Sequence, residues 1–270
     1  YQKTYFQIAN EYFNDGKYDE AVIYYEKNLQ FDIKKYGSNH IYIGDDYYFI
    51  GLSYLRLNKY DEAIENFNKA LNIYESKNLS GDKKHLAKYI SDTNIQIRTC
   101  YESLSDEFFE KIKQSNIGDK TYPKKRLFCD QKILEINLKE YGELHEYTAK
   151  AYYELVKDYS ILCDYKNTLI NAEKSLEINK KLFGENNENT AFSYKYIGLA
   201  YKGLFNYEVA LDYLKKALDI ERNVLGENND VIAWTYFNIG EVYMRQTAYQ
   251  DALSYYLKAL EIRENVLGKE

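Results

Sequence analysis

The sequence predicts an all-α repeat array, and three observations support this prediction. Apolar residues at helical spacing recur with a period of 42 residues near the carboxyl-terminal end. A short polar break at 202–206 separates two such helical runs. One proline and 13 glycines leave few interruptions to long helices. The recurring residues are Tyr194, Ile197, Gly198, Tyr201, Ala210, Leu214 and Ala217, with counterparts Tyr236, Ile239, Gly240, Tyr243, Ala252, Tyr256 and Ala259. This self-similarity decides the architecture before any local assignment.

Composition excludes several classes of protein. A hydrophobic fraction of 45% over 270 residues is too high for a disordered chain. The net charge of −6 argues against a nucleic-acid-binding surface, which needs a basic face. No apolar run approaches the length that spans a membrane, and no secretory signal is visible, although the start at Tyr1 leaves an upstream segment open. Three widely spaced cysteines, Cys100, Cys129 and Cys163, predict reduced core thiols and a cytoplasmic location.

Two hairpins are predicted at the start of the chain, over 2–37 and 44–77. In the first, apolar residues at i, i+3, i+4 and i+7 predict one helix, a turn follows near Gly16, and a second helix ends at Gly37. Glycine suits a helix C-cap because a positive φ is needed there. In the second hairpin, Gly51 and the alanines Ala63 and Ala70 are small residues where two helices would approach closely.

The third repeat, 86–142, is irregular. Gly142 lies 105 residues after Gly37, which is two periods of 42 plus an insertion of about 21 near 105–125. The pattern predicts a first helix over 86–104, a short extra helix over 106–115, a loop over 117–123 ended by Pro123, and a second helix ending at Gly142. Two extra helices in place of one irregular repeat is the alternative interpretation.

The remaining repeats are 149–184, 191–226 and 233–268, so that about six repeats form one array over 1–270. The fourth is degenerate, since Val156 replaces the glycine found at 51, 198 and 240 and Ala172 stands where a large residue is expected. Asn189 and Asp230 are predicted as N-caps of the helices that follow the Gly184 and Gly226 links.

These residues and their spacing resemble the tetratricopeptide repeat motif, in the longer 42-residue form found in kinesin light chains and many bacterial signalling proteins. The resemblance covers nearly all of the chain except about residues 78–125. It implies an α-solenoid, a right-handed superhelix of helix-turn-helix hairpins whose first helices line a concave groove. The usual proline near the end of the second helix is absent, which fits a longer helix.

The groove implied by the resemblance is lined by first-helix residues that point away from the motif positions. The expected groove residues are Arg56, Lys150, Tyr153, Lys157, Phe192, Lys195, Lys202, Trp234, Phe237, Asn238, Glu241 and Arg245, with Asn238 at the edge. Cations among aromatic rings predict an extended peptide with acidic and apolar or aromatic side chains as the ligand. The alternative is that the lysines are a solvated helix face and Trp234 fills a gap between repeats.

No catalytic constellation is visible in the sequence. His40 and His145 occupy equivalent positions three residues after Gly37 and Gly142, where linker or capping roles are expected. No phosphate-binding glycine loop, zinc spacing or nucleophile–base arrangement occurs, so no enzyme, cofactor or metal is expected.

Three functions fit the sequence. The first is a non-catalytic protein–protein interaction scaffold that binds a peptide or disordered segment, with no nucleic acid or membrane partner. The second is a peptide-sensing regulatory module of a bacterial signalling protein. The third is a structural unit that self-associates end to end, because no polar capping helix follows the sixth repeat and Leu257, Ile262 and Val266 would leave apolar surface.

Overall fold

A computed structural model describes residues 3–116 and 118–267, and α-helices make up most of these residues. Two compact units, Tyr1–Gln114 and Ser115–Glu270, divide the chain. The described helices of unit 1 are α1 (Tyr5–Asn14), α2 (Tyr18–Tyr36), α3 (Ile41–Arg56), α4 (Tyr60–Tyr74) and α5 (Leu86–Gln114). Those of unit 2 are α6 (Thr121–Tyr141), α7 (Glu146–Ile161), α8 (Tyr165–Phe183), α9 (Glu188–Gly203), α10 (Tyr207–Leu225), α11 (Asp230–Arg245) and α12 (Tyr249–Leu267).

Within each unit, every helix packs against the next one along the chain. Alternate helices also touch, α3 with α5 in unit 1 and α7 with α9 and α9 with α11 in unit 2. Residues 3–116 and 118–267 contain no β-strand, and the single bridge described joins His40 and Ser80. The predicted all-α solenoid is therefore confirmed within each unit, while one continuous array over 1–270 stays a prediction.

Four helices end at the glycines that the sequence predicted as C-caps. The C-cap glycine Gly184 has φ +83°, and its amide donates to the carbonyl of Lys180 at 3.1 Å. Gly37, Gly142 and Gly226 have the same conformation after α2, α6 and α10. This left-handed φ strains any side chain, so the recurring glycine is a conformational requirement of the link between hairpins.

The turn inside each hairpin also places one residue at positive φ. The residues are Gly16 and Asn58 in unit 1 and Cys163, Phe205 and Thr247 in unit 2. Cys163 is therefore exposed at a turn, and the prediction that it is a core thiol is wrong. Cys100 and Cys129 are buried thiols outside any disulfide, as predicted.

The helix starts correct one sequence prediction and confirm another. The N-caps of α9 and α11 are Asn187 and Asn229, whose side chains accept from the amides two residues later at 2.9 Å. Asn189 and Asp230 already lie inside these helices, so their assignment as caps is wrong. The capping role expected for the histidines is confirmed, because Nδ1 of His40 accepts from the Tyr42 amide at 3.3 Å and His145 does the same for α7.

The region of the predicted insertion differs from expectation. α5 runs for 29 residues without a break, so 106–114 continues the preceding helix and forms no separate extra helix. α6 begins at Thr121, two residues before Pro123, because proline is tolerated in the first helical turn. Ile117 lies outside the described residues. The predicted second helix ending at Gly142 is confirmed.

Three hairpins are held together where a glycine of the first helix meets a large residue of the second. A Cβ at Gly198 would lie 2.7 Å from Leu214 Cγ and 3.0 Å from the Ala210 carbonyl oxygen. Gly51 meets Phe67, and a Cβ there would lie 2.8 Å from the ring. Gly240 meets Tyr256 at 2.7 Å in the same way. The predicted role of these glycines in close helix packing is therefore confirmed.

In the degenerate fourth repeat, the larger residue of the crossing lies on the first helix and the smaller one on the second. Val156 of α7 stands in register with Gly198, and Ala172 of α8 stands in register with Leu214. Both residues are fully buried and belong to one core cluster with Ile197. The bulk has moved from the second helix to the first, so the crossing is filled although the glycine is absent.

This size exchange predicts strong coupling between the two positions of a hairpin. Gly198→Val alone should lower the free energy of unfolding by about 1–3 kcal/mol through overpacking. Leu214→Ala alone should lower it by about 2–5 kcal/mol through a cavity. The double variant reproduces the Val156 and Ala172 pair, so urea denaturation should show a loss smaller than the sum by at least about 1 kcal/mol. Additive losses would show that the crossing tolerates no exchange.

Candidate functional site

Unit 2 contains a solvent-open groove of about 790 Å³ along its first helices α7, α9 and α11. The same repeat positions line it from helix to helix, because the period of 42 places them in register. The lining residues are Glu146, Tyr147, Ala149, Lys150, Tyr153, Glu154, Asn179, Phe183, Glu188, Asn189, Phe192, Lys195, Tyr196, Glu221, Asp230, Val231 and Trp234. The groove therefore includes five of the predicted site residues, namely Lys150, Tyr153, Phe192, Lys195 and Trp234.

Aromatic rings form a continuous ladder across the three helices. Tyr153 of α7 stacks on Phe192 of α9 with ring centroids 3.8 Å apart, and Phe192 contacts Tyr196 at 4.4 Å. Tyr196 then lies 6.1 Å from Trp234 of α11. Burial raises the pKa of Tyr196 to about 12, so its hydroxyl stays neutral. The ladder is an apolar wall that is ordered by its own ring contacts.

Lys195 is buried in the wall of the groove. Its side chain is 5% exposed, and Nζ lies 2.7 Å from Glu221 Oε1 and 4.9 Å from the centre of the Trp234 ring. Thr235 donates its hydroxyl to the other Glu221 oxygen at 2.6 Å. A buried lysine so held contributes to the packing of α9, α10 and α11, and the expectation that it offers a free cation is wrong.

Two further lysines are also engaged by carboxylates of the chain. Lys157 Nζ lies 2.8 Å from Glu154 and 5.0 Å from the centre of the Tyr153 ring. Lys202 Nζ lies 2.6 Å from Glu241 and 3.0 Å from Asn238 Oδ1. None of these pairs is fully exposed, so each partner is held in place. The predicted row of cations is therefore largely neutralised within the chain.

The remaining predicted residues lie outside this groove. Phe237, half-exposed on α11, packs against Tyr256 of α12, with ring centroids 5.4 Å apart. Arg245 is exposed in the last turn of α11, and Asn238 is buried with its amide donating to the Trp234 carbonyl. Arg56 is exposed in the last turn of α3, in unit 1.

The rim of the groove is acidic. Glu146, Glu188 and Asp230 occupy the same repeat position in the first turns of α7, α9 and α11, and all three are exposed. Asp230 also lies 3.4 Å from Arg263 of α12. Carboxylates are favourable there because the helix N-terminus carries partial positive charge. Lys150 is exposed and, within residues 3–116 and 118–267, takes part in no ion pair. The exposed charge thus favours a cationic ligand over the acidic one predicted.

Sequence reasoning missed the rim carboxylates and Tyr196. The period itself could have found the rim, because 146, 188 and 230 are separated by 42 residues. Tyr196 follows Phe192 by four positions and so shares its helix face. The partners of the lysines had no comparable signal, because Glu221 lies 26 residues from Lys195 on another helix.

A buried charge cluster lies at one edge of the groove, between α6 and α7. The Arg126 guanidinium donates to Asp158 and to Glu154, and it lies 3.6 Å from Asp130. Burial, followed by the hydrogen bond and charge of Asp130, raises the pKa of Asp158 to about 9. Asp158 therefore carries a proton at neutral pH and shares it with Asp130, which leaves the cluster close to charge balance.

The described part of the chain offers no site for metal chemistry and no membrane-spanning segment. No three histidine, cysteine, aspartate or glutamate side chains among these residues come together in a way that would hold a metal ion. No helix among them has both the length and the apolar character needed to cross a bilayer.

Comparison with known proteins identifies the family. The model of the tetratricopeptide repeat family matches residues 2–76, 147–223 and 197–265. These ranges make up more than half of the chain, and the protein belongs to the tetratricopeptide repeat family. Repeats of this kind are generally protein–protein interaction modules.

Three individual proteins are similar to this chain. Protein KINESIN LIGHT CHAIN-RELATED 3 of Arabidopsis thaliana is 32% identical over 88 residues, which are 33% of this chain and 14% of that protein. The crystal structure of BtubC (BKLC) from P. vanneervenii has a TM-score of 0.53 at 14% identity, over 94% of this chain and 93% of that one. A putative kinesin light chain of Podosopora anserina has a TM-score of 0.49 at 12% identity, over 83% and 97%. The chain thus spans a small part of the curated relative, and the likeness to the BtubC structure shows the fold.

The protonated Asp158 predicts that stability depends on pH. Its pKa in the folded protein lies above the ordinary value of an aspartate, 3.8, so the native state binds more protons than the unfolded state between about pH 4 and 9. Stability should therefore fall as the pH rises through this window. Asp158→Asn keeps a donor towards Asp130 and cannot ionise, so urea denaturation from pH 5 to 8 should show a shallower decline, by more than about 1 kcal/mol.

The exposed Asp212 on α10 supplies the matched control. Asp212→Asn should retain the slope of the parent chain. An unchanged slope in the Asp158→Asn variant would contradict the assignment of the shared proton.

Proposed function

We propose that this chain is a non-catalytic cytoplasmic interaction module that holds a peptide or disordered segment of a partner protein in the unit 2 groove. The observation that carries the proposal is the ladder of Tyr153, Phe192, Tyr196 and Trp234 along an open groove. Rings already ordered by their neighbours provide contact area without further loss of side-chain freedom on binding.

The chemistry of the groove favours a particular kind of segment. Apolar and aromatic side chains suit the ladder, as predicted from the sequence. Glu146 and Glu188 of the acidic rim attract lysine or arginine. Three of the four lysines expected to attract acidic residues, Lys157, Lys195 and Lys202, are paired internally, and within the described part of the chain only Lys150 is not. We therefore favour a segment with apolar or aromatic residues flanked by basic ones.

Selection from a library of random 12-residue peptides tests this proposal. Trp234 is the only tryptophan of the chain, so its fluorescence reports directly on occupancy of the groove. Selected peptides should be rich in aromatic and basic residues and bind more weakly at high salt. Phe192→Ala and Trp234→Ala should each weaken binding at least about tenfold, as expected for a buried aromatic anchor. Because Trp234→Ala lacks the fluorescent reporter, its affinity is measured by isothermal titration calorimetry alongside the parent chain.

Phe237→Ala is the matched control, because Phe237 is an aromatic of α11 that lies outside the groove. Its affinity for the selected peptides should equal that of the parent chain. Selection of acidic peptides, or an equal loss in the Phe237→Ala variant, would contradict the proposal.

A second candidate function is self-association through α12. Leu253, Leu257 and Leu260 are more than half exposed along one face of this helix. The residues of α10 at the same repeat positions are buried against other helices. Leu211 and Leu218 correspond to Leu253 and Leu260 and are only 8% and 6% exposed, within the core cluster shared with α11. We infer that the α12 face is covered by a second copy of the chain.

Sedimentation over a concentration series tests this second function. The parent chain should form a dimer as concentration rises, and Leu253→Glu/Leu260→Glu should remain monomeric, since charges would be buried in the interface. Ser254→Glu/Asn265→Glu adds the same two charges beside the leucine face and should still dimerise. A parent chain that stays monomeric at all concentrations would remove this candidate.

A further inference from the structure

Unit 1 contains a separate cavity of about 700 Å³ between α1, α2 and α3. Its walls are largely aromatic and its floor is acidic. The lining residues are Lys3, Thr4, Tyr5, Phe6, Ile8, Asn28, Phe31, Asp32, Lys35, Tyr36, Tyr42, Asp45 and Asp46. None of these residues takes part in the unit 2 groove, so the cavity is an independent feature of the molecule.

The carboxylates of the floor are held by neutral donors. Asn28 Nδ2 bridges Asp32 Oδ2 at 3.1 Å and Asp46 Oδ1 at 2.8 Å. The Tyr74 hydroxyl donates to Asp45 Oδ1 at 2.8 Å. Asp46 is 1% exposed, and its second oxygen, Oδ2, accepts no hydrogen bond within the described part of the chain. A buried carboxylate oxygen without a donor is costly, and because Asp46 lines the cavity, it points to a missing cationic partner there.

In unit 2, the positions that correspond to Asp32 and Asp46 carry other side chains. Asp32 and Asp46 lie 147 residues before Asn179 and Ser193, where a neutral network forms. There Asn179 Nδ2 donates to the Ser175 and Ser193 hydroxyls at 3.1 Å.

One repeat further, at an offset of 189, the same positions are Glu221 and Thr235, and Lys195 neutralises Glu221. The residue of unit 1 in register with Lys195 is Phe6. Unit 1 thus has the buried acids of this network without the buried cation.

The lysines that line the cavity do not take the place of that cation. Lys3 lies 2.6 Å from Glu11 on the surface. Lys35 is exposed, with Nζ 4.7 Å from the centre of the Tyr36 ring and 5.6 Å from that of Phe31. Burial raises the pKa of Asp46 to about 7, with Asp32 and Asp45 adding to the rise, as expected for an acid without a counter-ion. Burial also raises the pKa values of Asp32 and Asp45. The charges of Lys35 and His40 act to lower the pKa of Asp32, and the charge of His40 acts to lower that of Asp45.

We propose that this cavity binds the guanidinium group of an arginine side chain from a partner polypeptide. A planar guanidinium offers paired donors to Asp46 and Asp32 and stacks on the rings of Phe6, Phe31 and Tyr36. A metal ion is disfavoured, because no three acidic, histidine or cysteine side chains among the described residues converge as ligands. An arginine of the partner would then form with Asp46 and Asp32 the kind of buried ion pair that Lys195 and Glu221 form within unit 2.

Titration of the whole chain with N-acetyl-arginine amide, followed by NMR, tests the proposal. The neutral isostere N-acetyl-citrulline amide is the matched ligand, and it should bind at least about tenfold more weakly, because it lacks the charge. Asp46→Asn should lose arginine binding by a similar factor. The exposed Asp61→Asn of α4 should bind as the parent chain does.

A second variant keeps the test independent of folding losses. Phe6→Lys places an internal cation in the register of Lys195, so it should abolish arginine binding and raise the thermal unfolding midpoint. Equal binding of citrulline, equal binding of N-acetyl-lysine amide, or unchanged binding by Asp46→Asn would each overturn the proposal. Trp234→Ala should bind the arginine compound normally, which separates this cavity from the function proposed for the unit 2 groove.

Discussion

The fold depends on one steric constraint, the contact between a small residue of one helix and a large residue of the other where the two helices of a hairpin cross. Gly198 and Leu214, Gly51 and Phe67, and Gly240 and Tyr256 are three versions of it. The version in α7 and α8, Val156 and Ala172, shows that the requirement is on the summed volume at the crossing. Glycine is one solution among several, which explains how the fourth repeat keeps the fold after losing the most recognisable residue of the motif.

Because packing is decided at these crossings, the buried polar position five residues before the link can vary in chemistry. It is Asp32 in unit 1 and Asn137, Asn179 and Glu221 in unit 2. Each of these side chains reaches a polar partner: Asn28 for Asp32, the Tyr147 carbonyl for Asn137, two serines for Asn179, and Lys195 with Thr235 for Glu221. The repeats therefore share a backbone while differing in charge beneath the surface that a ligand would meet.

The sequence was sufficient for those features that depend on local conformation and on the period. Helix ends at the C-cap glycines, the histidine caps and the crossing glycines follow from backbone sterics and spacing, and all were predicted. The continuous α5 was not, because a few polar residues between two apolar runs do not reveal whether a helix stops. Free and paired lysines were also indistinguishable in the sequence, since Lys195 finds Glu221 on another helix and Lys202 finds Glu241 39 residues away. The face of a helix can be predicted from periodicity, but the partner of a charge depends on how helices pack.

The two cavities occupy the same place in the repeat and differ in what lines them. Lys3, Phe6, Tyr36 and Asp45 of unit 1 are in register with Lys150, Tyr153, Phe183 and Phe192 of unit 2. An aspartate in place of Phe192 interrupts the ring ladder, and Asp46 in place of Ser193 adds a buried charge next to it. Three replacements by aspartate, Asp32 for Asn179, Asp45 for Phe192 and Asp46 for Ser193, therefore distinguish the anionic pocket with apolar walls from the apolar groove with a charged rim. None of the three lies at the glycine crossings, so the ligand chemistry of a repeat can change while the steric contact that holds the hairpin together is kept.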